Sequence, residues 1–332
     1  MNSTKIYTDQ NVKADIIFNL KIGIIGFGNQ GKAQALNLKD SGIDVVVGLR
    51  KGSLSKKNAV ELGFKVFSVE VLVIKCDIIC ILVPDEHIST LYTKDIKKYL
   101  KKGKALLFSH GYAVHFKHIN IPVYIDVILV APNGSGRKVR SEYIKGAGVP
   151  NLVAIDQDYS GNALKIALAY SKSIGGTKMG AILTTFKEET ITDIFGEQIL
   201  LTGSIPKLMQ ESFNVLVENN YSPEVAWLVC YYEVKSIIDS FYKEGFEHLN
   251  KIVSNLAEYG GLTRGKRLIN SELKKEMKEI LKEIEGGRFE KEWTKEKEQN
   301  YKILKQERII TKKSKIEKTT LKMTKLFFKD NN

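Results

Sequence analysis

Three carboxylates recur at intervals of four residues in one segment of the chain, at Glu189, Asp193 and Glu197. If the segment is a helix, residues four apart share a face, so the carboxylates form a column of hard oxygen ligands. Magnesium accepts one or two such carboxylates per ion and fills its other positions with water. Apolar residues at 191, 194, 195 and 199 lie roughly opposite the column, as on any amphipathic helix with a solvated acidic face. Spacing alone leaves both a metal-binding helix and a solvated helix open.

A second motif lies near the N-terminus, where Gly26, Gly28 and Gly31 match the spacing GxGxxG. The apolar run Ile22–Ile25 before them predicts a strand, and residues 32–39 after them predict a helix. Glycines let the backbone approach a pyrophosphate, and the helix N-terminus offers unpaired N–H groups to its negative charge. Because the motif lies between a strand and a helix, it indicates a dinucleotide site.

The end of the next predicted strand, residues 45–47, indicates which dinucleotide binds. Enzymes that prefer NAD usually carry Asp or Glu there, which accepts hydrogen bonds from the ribose. This chain carries Arg50, Ser53 and Ser55 instead. A guanidinium with nearby hydroxyls can hold a 2′-phosphate. The sequence therefore predicts NADP(H), although a solvated basic turn would have the same composition.

Further apolar runs in the N-terminal half each end in a polar or glycine-rich loop, as expected of strands that present ligands at the carboxyl edge of a parallel sheet. These runs are residues 78–84, 105–108 and 123–131. We predict that residues 1–183 form a Rossmann-type α/β domain with a parallel sheet that binds NADP. Beyond it the strand signal fades and helical patterns follow, so residues 184–330 are predicted to form an all-α metal and substrate domain. The clearest helical patterns are residues 223–242 and 272–284.

Composition indicates a soluble globular protein. The 332 residues are 43% hydrophobic and 27% charged, and no run of about 18 uncharged apolar residues suggests a transmembrane helix. The N-terminus lacks the pattern of a secretory signal. Three cysteines are too few for a disulfide framework. We therefore expect a cytoplasmic protein without membrane association.

The net charge of +13 comes largely from a lysine-rich tail, about residues 300–332. Such a tail can bind phosphate backbones non-specifically, but a solvated terminal segment has the same composition, and no nucleic-acid motif accompanies it. We do not expect nucleic acid as a partner. Leu321, Leu326, Phe327 and Phe328 predict that part of the tail docks as a short helix.

Several longer strings occur in one order between about residues 5 and 290. They include GFGNQG, VVVGLR, LVPDEHI, HGYAVHF, APNGSG, ETITDIFGEQ, SPEVAWLVCYYEVK and SNLAEYG. In this order they resemble class I ketol-acid reductoisomerases. The resemblance implies conversion of 2-acetolactate to 2,3-dihydroxy-isovalerate with NADPH and magnesium, in valine and isoleucine biosynthesis. It also implies a knotted helical C-terminal domain, a small 2-keto or ketol acid as substrate, and a homo-oligomer.

The resemblance also assigns roles to positions. His110 matches the active-site histidine, although a histidine after a buried strand is more often a structural donor. Asp193, Glu197 and Glu233 match magnesium ligands, and Ser254 matches the serine that contacts the substrate carboxylate. The cofactor positions are Phe27, Gly28, Asn29, Gln30, Arg50, Ser53, Ser55, Asp85, Glu86, His87, Ile88 and Gly136.

Two departures from the family pattern affect the chemistry. Asn133 occupies the place of a loop lysine, whose ammonium would stabilise developing negative charge better than an amide dipole. Val229 occupies the place of a glutamate four residues before Glu233. Three carboxylates then remain for two divalent ions, so we expect one magnesium site to persist and the second to be weak. Isomerisation, which depends on both ions, should suffer more than hydride transfer.

These departures leave two alternatives. The protein could reduce another small 2-keto acid after losing the rearrangement. It could also be a catalytically silent paralogue that keeps its NADP pocket and acts as an oligomer partner for an active homologue.

Overall fold

The computed structural model describes residues 4–328. They form two compact units that divide between Thr192 and Asp193. The first unit is an α/β layer structure, and the second is helical throughout its described residues. In the part of the chain described, no helix is long and apolar enough to span a bilayer.

The first unit is built on a nine-stranded sheet in the order β1-β9-β8-β7-β6-β5-β2-β3-β4. Its strands are β1 Ile6–Tyr7, β2 Ile22–Ile25, β3 Val45–Gly48, β4 Lys65–Phe67, β5 Ile78–Ile81, β6 Ala105–Phe108, β7 Asp126–Pro132, β8 Asn151–Gln157 and β9 Ala181–Leu183. The six strands from β4 to β7 in this order run parallel, which confirms the predicted Rossmann-type core. The β7–β8 and β1–β9 pairs are antiparallel, so the sheet as a whole is mixed.

The central strands are buried along their whole length, because helices cover both faces of the sheet. The helices of this unit are α1 Asp15–Phe18, α2 Asn29–Asp40, α3 Ser55–Glu61, α4 Val69–Lys75, α5 Asp85–Leu91, α6 Tyr112–His115, α7 Gly136–Ile144 and α8 Ala163–Ser173. A π-helical turn, Tyr92–Ile96, and a 3₁₀ turn, Lys97–Tyr99, follow α5, and a second 3₁₀ turn is Gly176–Lys178. Helix α9, Phe186–Gly196, crosses the division between the units.

Strand β7 starts three residues later than the apolar run that predicted it. The carboxylate of Asp126 accepts hydrogen bonds from the backbone N–H groups of Tyr159 and Ser160, at 2.8 and 2.9 Å, and from the hydroxyl of Ser160. These bonds fix the first residue of the strand. Val123 lies before it and is 80% exposed.

The second unit contains helices only among its described residues. They are α10 Ser204–Glu218, α11 Pro223–Trp227, α12 Glu233–Tyr242, α13 Phe246–Ile252, α14 Asn255–Leu268, α15 Ser271–Glu285, α16 Arg288–Glu298, α17 Lys302–Lys313 and α18 Lys315–Phe327. This part of the chain also contains two π-helical turns. Glu197–Leu201 follows α9 and leads towards α10, and Leu228–Tyr232 joins α11 to α12. The second of them makes residues 223–242 one continuous helical run, as predicted.

The basic tail docks on this unit through α18. The indole N–H of the buried Trp227 donates to the hydroxyl of Thr320 at 2.9 Å, and the ring of Phe327 stacks on Trp227. Met323 packs into the same small core as Phe213. The tail therefore contributes to the fold, as its apolar residues predicted.

Candidate functional site

The glycine-rich turn between β2 and α2 is set by close backbone packing. Gly26 has a φ of +100°, and a Cβ there would lie 2.5 Å from the carbonyl oxygen of Leu82. A Cβ on Gly31 would lie 2.3 Å from the carbonyl oxygen of Gly26. Gly28 differs, because a Cβ there would meet nothing within 4 Å. The protein itself does not require glycine at 28, so the open space is available to a ligand that approaches the backbone.

A cleft of about 270 Å³ opens at the carboxyl ends of β2, β5 and β6. It brings together five predicted cofactor residues and the predicted active-site histidine. Its lining is Gly28, Asn29, Gln30, Ile81, Leu82, Val83, Pro84, Asp85, Ile88, Ser109 and His110. Such a crevice at the carboxyl edge of a parallel sheet is where doubly wound folds bind nucleotides.

The other predicted cofactor residues do not line this cleft; they lie in the first turn of α5, in a separate groove and just beyond β3. Glu86 and His87 lie in the first turn of α5. Phe27 and Gly136 line a separate groove of about 480 Å³ between α2 and α7, and a Cβ on Gly136 would lie 2.0 Å from the carbonyl oxygen of Asn29. The structure thus packs the start of α7 directly against the glycine-rich turn.

Arg50 lies two residues beyond β3, next to the glycine-rich turn. Strand β3 pairs with β2 in register, and the N–H of Gly26 donates to the carbonyl of Gly48 at 3.1 Å. The guanidinium side chain is exposed, whereas Ser53 and Ser55 are half-buried around the start of α3. A cation and two hydroxyls therefore lie where the ribose end of a dinucleotide would be expected.

Asp85 is an acidic residue in the lining of the cleft whose pKa lies above its usual value. Burial raises the pKa of Asp85 from 3.8 to about 6, and the negative charges of Glu86 and Glu189 act in the same direction. The neighbouring His110 opposes the shift. Asp85 therefore exchanges its proton close to neutral pH, inside the predicted cofactor cleft.

His110 is held by Glu189, the first carboxylate of the acidic column. Its Nδ1 lies 3.0 Å from Oε1 of Glu189, while the other carboxylate oxygen accepts the backbone N–H of Gly111 at 2.7 Å. Glu189 is only 2% exposed, so it does not belong to a solvated acidic face. Because the carboxylate accepts a hydrogen bond from Nδ1, Nε2 is the ring nitrogen that accepts a proton in the neutral histidine and releases one from the imidazolium.

The remaining residues of the acidic column lie further along the chain. Asp193 lies one helical turn beyond Glu189 on α9, and Glu197 opens the π-helical turn that follows. Val229 lies inside the other π-helical turn, and Glu233 follows immediately. Single π-helical turns within helices occur often at functional sites, and both predicted metal segments contain one.

Within residues 4–328, Asp193, Glu197 and Glu233 are not gathered into one group whose carboxylate oxygens all lie within 4.8 Å of one another. Ser254 caps α14, and its hydroxyl accepts the N–H of Ala257 at 3.2 Å. Asn133 is exposed in the turn after β7, where its backbone N–H donates to the carbonyl of Pro150 at 2.9 Å.

The donor set fits one magnesium ion better than two. Asp193, Glu197 and Glu233 offer three carboxylates, and a magnesium ion completed by water needs only one or two of them. Val229 offers no donor atom, and its side chain is 48% exposed on the helix that carries Glu233.

Comparison with known proteins accounts for both units. The description "Acetohydroxy acid isomeroreductase, NADPH-binding domain" matches residues 16–180, and "Ketol-acid reductoisomerase, C-terminal domain" matches residues 186–328. The chain belongs to the ketol-acid reductoisomerase family. It is 47% identical to the ketol-acid reductoisomerase (NADP(+)) of Methanocaldococcus jannaschii over 97% of this chain and 98% of that protein.

Solved structures agree. A NADH-preferring ketol-acid reductoisomerase from an uncultured archean matches with a TM-score of 0.95 and 41% identity, over 97% of this chain and 99% of that one. A semialdehyde dehydrogenase NAD-binding protein from Cupriavidus necator matches with a TM-score of 0.61 and 18% identity, over 80% of this chain and 99% of that one. The second likeness concerns the fold alone.

Membership of the ketol-acid reductoisomerase family provides the pattern from which Asn133 and Val229 depart. The cleft, the glycine-rich turn and His110 lie in the matched NADPH-binding domain, and the acidic column enters the matched C-terminal domain. Asn133 and Val229 stand where the family resemblance implies a lysine and a glutamate.

Proposed function

We propose that this member of the family is an NADPH-dependent ketol-acid reductoisomerase in which alkyl migration is weakened relative to reduction. Its overall reaction converts 2-acetolactate to 2,3-dihydroxy-isovalerate. The observation that carries the proposal is His110, fixed by Glu189 and opening into the cleft beside the glycine-rich turn. This arrangement supports proton exchange by His110 beside the expected dinucleotide site.

The cofactor is NADPH rather than NADH in this proposal. Arg50 offers a charge-assisted bond to a 2′-phosphate, and Ser53 and Ser55 add hydroxyls near the start of α3. A relative of the same fold prefers NADH, so the fold does not decide the preference. Titration of the protein with each dinucleotide, followed by nicotinamide fluorescence, tests it; equal affinity would contradict the role of Arg50.

Asp193 and Glu197 would hold one magnesium ion, which when bound polarises the ketone and hydroxyl oxygens of the substrate. Glu233 would contribute to a second site that lacks its other acid, because Val229 cannot donate. Ser254 would contact the substrate carboxylate, and His110 would exchange the proton. The residues present thus support reduction more fully than rearrangement.

A second candidate function follows from Val229. If one metal site is lost, the protein could still reduce a 2-keto acid that has already been rearranged, such as 3-hydroxy-3-methyl-2-oxobutanoate. Reduction requires NADPH, one polarised carbonyl and a proton donor, and in this proposal the predicted cofactor site, one magnesium site and His110 would supply them.

The test compares both substrates with magnesium and NADPH, following the absorbance of NADPH at about 340 nm. We expect 3-hydroxy-3-methyl-2-oxobutanoate to be reduced much faster than 2-acetolactate is consumed. Asn133→Lys with Val229→Glu should raise acetolactate turnover by about 10-fold or more. It should also raise the magnesium stoichiometry measured by calorimetry.

Val225→Glu is the matched control, since Val225 is also exposed and lies one turn earlier on the same helical run. Turnover of acetolactate equal to that of the Methanocaldococcus jannaschii enzyme, with two tight ions, would contradict the impairment. NADPH binding without turnover of either substrate would instead favour the silent paralogue.

A further inference from the structure

A buried side chain in α2 connects three loops at the carboxyl edge of the sheet. Gln34 is 0% exposed. Its Nε2 donates to Oε1 of Gln30 at 3.1 Å and to the hydroxyl of Ser109 at 3.0 Å. Its Oε1 accepts the hydroxyl proton of Tyr170 at 2.8 Å. All three bonds of this amide are made to other side chains inside the first unit.

Two backbone carbonyls at the ends of this network determine which group donates and which accepts in the bonds of Gln34 to Ser109 and Gln30. Ser109 donates its hydroxyl proton to the carbonyl of Val130 at 2.9 Å, so it must accept from Gln34. Gln30 donates from Nε2 to the carbonyl of Gly134 at 2.8 Å, so it presents its oxygen to Gln34. A carbonyl can only accept, and therefore each amide has one satisfied orientation.

The far end of the network is anchored by Tyr170 on α8. Its ring is 0% exposed, and burial raises the pKa of Tyr170 well above its usual value. The hydroxyl therefore keeps its proton and can donate to Gln34. Without that donor, the oxygen of Gln34 would be buried without a partner, and the alternative amide orientation would compete.

The three loops carry most of the candidate site of the first unit. Gln30 lies in the first turn of α2, directly after the glycine-rich turn, Ser109 precedes His110, and Gly134 follows Asn133. Close packing of Gly136 against Asn29 already joins the glycine-rich turn to the segment after β7. The network of Gln34 also includes Ser109 and therefore joins all three loops.

We propose that Gln34, held by Tyr170, is a positioning residue that aligns the dinucleotide-binding turn with the loops carrying His110 and Asn133. This rests on the proposed function only in that the aligned parts are the NADPH and proton-transfer sites. Gln34 itself lies behind these loops and lines neither the cleft nor the neighbouring groove.

The experiment compares Tyr170→Phe and Gln34→Leu with Ser171→Ala. Ser171 is the matched control because it is the next residue on α8 and also 0% exposed. Its hydroxyl lies 2.9 Å from the side-chain amide of Asn151 and belongs to a different hydrogen bond from those of Gln34. Each variant is titrated with NADPH alone, its NADPH KM and kcat are measured with 3-hydroxy-3-methyl-2-oxobutanoate, and its stability is measured by urea unfolding.

We expect Tyr170→Phe to raise the Kd for NADPH about 5-fold and Gln34→Leu to raise it more, since one neutral hydrogen bond is worth about 1 kcal/mol. Ser171→Ala should lose comparable stability and keep the wild-type Kd. If Tyr170→Phe loses stability but binds NADPH like the wild type, the network is structural only and the proposal is wrong.

The Tyr170→Phe variant keeps the test decisive if Gln34→Leu fails to fold. The binding measurement also separates this proposal from the proposed function. Wild-type protein that binds NADPH but turns over neither substrate would contradict the enzyme activity, while the Kd comparison would still decide the role of Gln34. Wild-type protein without NADPH affinity would overturn both.

Discussion

At the scale of single residues, Glu189 shows how one carboxylate serves two groups. One oxygen faces Nδ1 of His110 and the other accepts the N–H of Gly111, so the histidine loop is fixed by both its side chain and its backbone. The burial of Glu189 makes these bonds stronger than they would be in water. Substitution there should therefore alter chemistry before it alters the fold.

Glu189→Gln should lower kcat by about 10²-fold or more, within the usual contribution of general acid–base catalysis. A glutamine that still accepts from Gly111 turns its NH₂ towards Nδ1, which favours the tautomer with the proton on Nε2. Steady-state turnover with the better of the two substrates measures the effect. Glu188→Gln is the control, because Glu188 is exposed and bonds the hydroxyl of Thr184; equal losses in both variants would refute the role of Glu189.

Asp85 predicts a pH dependence of stability. Because the folded protein holds this proton up to about pH 6 and the unfolded chain releases it near 3.8, the folded state binds more protons in that window. Stability therefore falls as pH rises through it, and the full cost persists above pH 6. Asp85→Asn should be more stable than wild type at pH 7, on the order of 2 kcal/mol, and equal to it below pH 4.

Urea unfolding at both pH values measures this difference. Asp44→Asn serves as the control, since the side chain of Asp44 is 66% exposed in its pair with Lys21. A constant difference between Asp85→Asn and wild type at every pH would show that the carboxyl group does not titrate as described.

At the scale of elements, the sequence predicts those strands that a continuous run of apolar residues specifies. Strands β2, β3 and β6 are continuous apolar runs, and their ends follow closely from the sequence. Strand β5 ends at Ile81, although its apolar run predicted a strand as far as residue 84. The partly exposed β8 alternates burial irregularly and was not predicted, nor was its antiparallel pairing. Those features depend on neighbours in the sheet rather than on the segment itself.

The site was predictable to a similar degree. The glycine spacing and the family strings predicted several residues that line the cleft, but the contact of Glu189 with His110 and the network of Gln34 were not predicted. Glu189 contacts a histidine 79 residues away, and Gln34 contacts residues 75 and 136 positions away. No local sequence pattern identifies such partners. A glutamine or glutamate that is buried in the fold cannot be told from an exposed one by its residue type alone.

The docked helix α18 supports a further prediction. Thr320→Val keeps the shape of the side chain but leaves the indole N–H of the buried Trp227 without its acceptor. We expect the second unit to lose about 1–3 kcal/mol of stability. Tryptophan fluorescence during urea unfolding reports this directly, since Trp227 and Trp293 both lie in that unit. Thr311→Val, on the exposed part of α17, should leave the unfolding transition unchanged. A similar loss of stability in Thr311→Val would show that the hydrogen bond between Thr320 and Trp227 is not the cause.

At the scale of the whole molecule, the second unit carries many large apolar side chains that are exposed. Helices α13 and α14 bury none of their residues. Leu256 is 83% exposed, Phe246 72% and Tyr259 65%. Exposed apolar patches are typical of protein interfaces. The homo-oligomer predicted from the family resemblance would cover these side chains with a second copy of the chain.

Light scattering should therefore give a mass that is a multiple of 37.4 kDa, because separation of the copies would expose these helices to water. Leu256→Glu places a charge in the apolar face and should shift the protein towards monomer or make it aggregate. Val123→Glu is the control, since Val123 is 80% exposed in the first unit and its substitution should leave the mass unchanged. A wild-type protein that stays monomeric at micromolar concentration, with no loss of solubility, would contradict the oligomer.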